Sequence, residues 1–188
     1  MLSRQRRAPR AFALGLLLAL SCAVAAVASR ASAAPLDFKL RTTDGGEINS
    51  EMLRGDVVVL AFGSSSLGSL SKAQAQKTQE LADHFGPQDV RVYWVCTDSD
   101  SPKSKSYATD EQLRAFAHKN GLKVAVLRDP DGAIFKRTGA DQLPAVVLLD
   151  RRGEISGAPV GGLDPNPDPS RKLVNVLSER LNKLLSAQ

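Results

Sequence analysis

Residues 57–62, VVVLAF, are apolar at every position and β-branched at the start, which suits a strand buried on both faces. A chain holding such a strand has to lay cover on each side of it, and that commits it to a layered α/β arrangement. The run stops at Gly63, three serines follow (Ser64, Ser65, Ser66), and a helical pattern is predicted from Ser69 to Phe85, ending at Gly86-Pro87. The apolar stripe of that helix is thin: Leu70, Ala73, Leu81 and Phe85. Strand–loop–helix turns are frequent seats of chemistry. This one offers three hydroxyls and two glycines, and no cysteine, histidine or lysine.

The rest of the chain fits around that strand. Phe38–Arg41 alternates like a strand, Asp44-Gly45-Gly46 turns it back, and Ile48 lies on the return. Residues 52–55 resemble one helical turn, and Val90–Cys96 is a second strand. A polar loop, TDSDSPKSKSYA, within which SDSPKSKS (residues 99–106) reads as solvated, leads to a helix from Asp110 to Asn120, with Thr109 and Gln112 at capping-box spacing. Leu122–Leu127 is predicted as a short strand, Asp129–Gly132 as a turn before a short helix, and Ala145–Leu149 as a strand opening after Pro144. Asp150–Gly153 turns toward Glu154-Ile155, and Leu173, Leu177, Leu181 and Leu184 share one face of a final helix after LDPNPDPS. Helical crossovers in the middle and hairpins at the ends predict a mixed sheet.

The first 33 residues stand apart. Four arginines within residues 1–10, an apolar run from Ala11 to Ala28, and the small residues Ala31-Ser32-Ala33 form the pattern of a secretory signal peptide, leaving a domain of residues 34–188. An uncleaved anchor, or lipidation at Cys22, are the alternatives, and either would make this segment the only membrane contact. The whole chain has 25 Lys+Arg against 20 Asp+Glu, and residues 1–33 hold five arginines and no acid, so the domain itself balances at 20 against 20. The basic charge therefore gives no support to nucleic-acid binding. With Cys22 in the leader, Cys96 is the domain's lone thiol, which excludes an intramolecular disulfide and any mechanism needing two thiols on one chain.

Other chemistries fail on spacing. A nucleophile elbow needs Gly-x-Ser-x-Gly, and Gly63 and Gly68 are one residue too far apart; only His84 and His118 are present as bases, both on predicted surface helices. The same glycines copy the first half of a phosphate-binding loop, but Ser69 and Leu70 stand where lysine and a hydroxyl residue belong. Cys96, His84 and His118 show no metal-ligand spacing, and no cofactor or metal is expected.

In order and spacing, PLDFKLRTTDGGEINSEMLRGDVVVLAF and VLRDPDGAIFKRTGADQLPAVVLLDRRGEI resemble the exported TlpA/ResA-type disulfide reductases and their thiol-specific-antioxidant (AhpC/TSA, redoxin) relatives, over roughly residues 35–185. The resemblance implies an α/β thioredoxin-like fold: a central mixed sheet flanked by helices, with an N-terminal β-hairpin. It implies that the family's Trp-Cys-x-x-Cys motif falls on Ser66-Leu67-Gly68-Ser69-Leu70, with leucines, Leu67 and Leu70, at both thiol positions. It also implies that Pro144, after Leu143, holds the place of the family's cis-proline. Disulfide exchange needs a thiolate at the attacking position, and leucine supplies none.

The expectation is thus an exported, redox-inactive binding domain of the cell envelope. Its partner would be a protein or extended peptide, contacted through Leu67, Leu70, Leu143 and Pro144. Leucines that merely fill the space of a lost function, with no specific partner, are the bland alternative. The rival from another class is a thiol oxidoreductase or antioxidant-type protein acting through Cys96 or a partner's thiols.

Overall fold

The computed structural model describes residues 34–161 and 167–187. The predicted signal segment with Cys22, and residues 162–166 of the proline-rich stretch, lie outside the described residues. The order is β1 (Lys39–Arg41), β2 (Glu47–Asn49), a 3-10 turn (Ser50–Leu53), β3 (Val57–Gly63), α1 (Ser69–Phe85), β4 (Val90–Cys96), α2 (Asp110–Lys119), β5 (Val126–Arg128), α3 (Ala133–Arg137), β6 (Ala145–Leu149), β7 (Val160–Gly161) and α4 (Pro167–Ser186). The main sheet runs β5-β4-β3-β6-β7. β3 pairs parallel with β4 and antiparallel with β6, so the mixed sheet expected from the sequence is present.

β3 is central and buried at all seven positions, because each of its faces has its own cover. Val57, Val59 and Ala61 face a core shared with α1, α2 and α4, to which Leu113, Leu177 and Leu181 contribute. Val58, Leu60 and Phe62 face a second core built from the hairpin side chains Leu36, Phe38 and Leu40, with Ile134 and Phe135 of α3 packed against it. The β1–β2 hairpin also guards the β5 edge: Thr42 bridges to Leu127, and the Thr43 amide donates to the Val126 carbonyl at 3.0 Å.

Three local predictions shift. β5 is Val126–Arg128 rather than Leu122–Leu127, because the amides of Lys123 and Val124 donate to Gln79 Oε1 of α1 (2.6 and 3.3 Å) instead of to a strand. Past the Asp150–Gly153 turn the return is an isolated bridge from Ile155 to Leu149 rather than a strand. Pairing resumes at Val160–Gly161, after Gly157 at φ +74° and Pro159 interrupt the return. The third concerns α1, whose buried face is Ser71, Gln74, Ala75, Thr78, Leu81 and Phe85; Leu70 and Ala73 are only half-buried. The stripe is thin because its first two turns turn hydrogen-bonding groups, not alkyl groups, toward the sheet.

Candidate functional site

The loop after β3 is held by a web of oxygen and nitrogen contacts. Asp98, two residues beyond the end of β4, is 1% exposed. Its carboxylate accepts from the Ser64 hydroxyl, from the Ser65 amide at 2.8 Å and from the Ser65 hydroxyl at 2.5 Å. Ser64 Oγ lies 2.7 Å from Ser66 Oγ, and the Ser66 amide donates back to Ser64 Oγ at 3.2 Å. From the helix side, Ser71 Oγ donates to the Ser64 carbonyl at 2.5 Å.

Gln74 joins the strand to its neighbour. Its Nε2 donates to the Phe62 carbonyl at 2.7 Å, and its Oε1 accepts from the Trp94 indole at 3.0 Å. Gly63 is required by this bridge: a Cβ there would meet Gln74 Oε1 at 2.1 Å and Trp94 Cζ2 at 3.1 Å. The Gly63 carbonyl in turn accepts from the Thr97 amide at 2.9 Å and hydroxyl at 3.2 Å. The inward polar residues of α1 and the start of the β4–α2 connection therefore exist to fasten the serine loop. The three hydroxyls are structural acceptors and donors around one buried carboxylate.

Sequence reading missed Asp98, Ser71 and Gln74. The first lies in a segment whose composition reads only as a polar loop, and the others on a helix face judged only by its apolar content. The available signal was positional: β4 is the parallel neighbour of β3, so residues just past Cys96 emerge beside residues just past Gly63.

The residues proposed for partner contact are spread out. Ser66, Gly68 and Ser69 are exposed, and Leu67, Leu70 and Leu143 are half-buried. The Phe62–Ala145 register places Pro144 at the same sheet edge as Gly63; Pro144 is buried and follows a cis Leu143–Pro144 peptide bond. Leu70 packs against the α1-side core and Leu143 against the hairpin-side core. The two leucines thus belong to opposite faces of the sheet.

Cys96 shares a register row with Gly63 and Arg128, yet its side chain is 0% exposed within the α1-side core. Burial pushes its thiol up to about 12, and the neighbouring Asp98 charge pushes the same way. It carries no thiolate at neutral pH and offers no surface to an incoming disulfide, which counts against the oxidoreductase that would act through it. The serines lack a base of the usual kind. His84 is exposed near the far end of α1, about 22 Å along the axis from Ser69 at ~1.5 Å per residue, and His118 is exposed on α2. Among the described residues no three His, Cys, Asp or Glu side chains are grouped to hold a metal ion.

The AhpC/TSA family model matches residues 31–158. Among solved structures, the chain is similar to a putative thiol:disulfide interchange protein DsbE from Chlorobium tepidum at 21% identity, covering 82% of this chain and 96% of that one with a TM-score of 0.65. It is similar to a secreted Mycobacterium tuberculosis disulfide oxidoreductase homologous to E. coli DsbE at 22% identity, covering 79% and 97%, TM-score 0.57. It is similar to the exposed lipoprotein thioredoxin Etrx1 of Streptococcus pneumoniae at 23% identity, covering 76% and 98%, TM-score 0.55. At these identities the likeness establishes a thioredoxin-like fold. No curated protein matches the sequence.

Proposed function

The chain belongs to the AhpC/TSA family, and from that premise we propose that it is an exported thioredoxin-like domain that binds a protein partner without thiol chemistry. The observation that carries this is the loop itself. The position where its relatives place chemistry is a serine loop anchored on buried Asp98, with leucines at its outer lip. A dithiol site must open, expose a low-pKa sulfur and exchange bonds; this loop is tied down on three sides and the domain's one cysteine is fully buried. Export is supported by the basic, apolar, small-residue order of residues 1–33 and by relatives described as secreted or as an exposed lipoprotein.

Contact through the rim formed by Leu67, Leu70 and Leu143-Pro144 requires no sulfur, since backbone groups and apolar side chains at a sheet edge suffice for an extended segment. The test has two arms. The purified protein should give a flat insulin-reduction trace, and affinity capture from an envelope fraction should yield the same partner with and without reductant. Leu67→Glu and Leu143→Glu should each lower that capture. Dithiol turnover that survives Cys96→Ala, or capture that depends on the absence of reductant, would overturn the proposal.

A further inference from the structure

On the α2 side of the sheet, one strand beyond Cys96, Arg128 is buried at 2% exposure where its β5 neighbours are all apolar. Its Nε, Nη1 and Nη2 have no hydrogen-bond partner among the described residues. The nearest acid oxygen is Asp110 Oδ1, 3.7 Å from Nε and itself without a hydrogen bond. The other oxygen of that carboxylate, Oδ2, is engaged by Arg41. A guanidinium carries five N–H donors in a fixed fork and stays charged, so one shared, distant carboxylate leaves it far from satisfied.

These groups line a cavity of about 150 Å³ beneath the β4–α2 connection, bounded by Arg41, Asp100, Tyr107, Thr109, Asp110 and Arg128. Its floor is also the N-terminal end of α2. There the capping box uses the side chains and amides of Thr109 and Gln112, while the remaining first-turn amides have no carbonyl partner within the helix. A cation buried beside the positive end of a helix dipole repels it unless negative charge lies between them. Asp110 is neutralised by Arg41, and Asp100 sits exposed at the mouth, where water screens it.

We propose that this cavity is a binding site for a small oxyanion, whose two acceptor oxygens take the free N–H groups of Arg128 and the first turn of α2. The site is separate from the serine loop and independent of the thiol question.

The test uses inorganic phosphate as probe, with acetate and sulfate arms, and chloride at matched ionic strength as the reference. The expected result is a saturable rise in thermal midpoint and saturable shifts of the 109–112 amides and the Arg128 Nε resonance. Arg128→Met should weaken binding by roughly tenfold to a hundredfold, as loss of a charge-assisted pair implies. If Arg128→Met does not fold, the resonance map of the native protein decides alone. A response to chloride equal to that of the oxyanions, shifts that do not saturate or lie elsewhere, or saturable binding retained by Arg128→Met, would each overturn the proposal.

Discussion

Replacing Asp98 by alanine removes the acceptor for three donors at once: the Ser64 hydroxyl, the Ser65 amide and the Ser65 hydroxyl. They do not suffer equally. Ser64 Oγ can turn its proton to Ser66 Oγ, already 2.7 Å away, and the half-buried Ser65 hydroxyl can reach water. The Ser65 amide has no second acceptor in the loop's hydrogen-bond web, and losing a hydrogen bond to a charged group costs about 1.5–3 kcal/mol. With a smaller loss for each hydroxyl, the sum is about 3–5 kcal/mol for Asp98→Ala. Asp98→Asn keeps one acceptor oxygen for the amide and should cost about 1–2 kcal/mol. Urea unfolding followed through the single tryptophan, buried Trp94, reads both. At a slope of about 2 kcal/mol per M, Asp98→Ala should lower the midpoint by about 1.5–2.5 M. Amide exchange at Ser65 should accelerate in step. Were Asp98 part of a solvated loop, both variants would fall within about 0.5 kcal/mol of the native protein. That result, or an asparagine variant as damaged as the alanine one, would refute the assignment of Asp98 as the anchor.

Gln74→Leu strands the Phe62 carbonyl and the Trp94 indole N–H, so it should destabilise by about 2–4 kcal/mol despite adding apolar surface; an unchanged urea midpoint would show the bridge to be incidental. Cys96 should resist alkylation in the native state at neutral pH and react once denaturant is added. Because burial raises its thiol from the usual 9.0 to about 12, the unfolded chain loses the proton first. Its contribution to stability is therefore fully present below pH 9 and is lost as pH rises toward 12, which alkaline titration of the native protein against Cys96→Ala would detect.

The fold was largely legible because its strongest signals are local. β3 announces itself by six consecutive apolar residues, α2 by the capping box that the structure contains, and α4 by Leu173, Leu177 and Leu181, all buried on one face. Where the reading slipped, a distant group had intervened. Leu122–Ala125 looks like strand in isolation, but Gln79 of α1 claims the amides of Lys123 and Val124. The N-terminal half of α1 looks weakly amphipathic, because a hydrophobic count gives no credit to Ser71 and Gln74, each of which satisfies a backbone carbonyl.

The sequence alone settled that a sheet strand buried on both faces feeds a serine loop and a helix, and that the loop brings no thiol, since these follow from residue identity and short-range pattern. Only the tertiary structure decided what those serines do and where the buried charges sit. Asp98 reaches Ser64 and Ser65 across 33–34 residues, and Arg128 comes to rest beside the first turn of α2, because parallel pairing of β3, β4 and β5 brings three distant strand ends to one edge. Partnership between side chains so far apart in the chain depends on strand register, which no local pattern encodes.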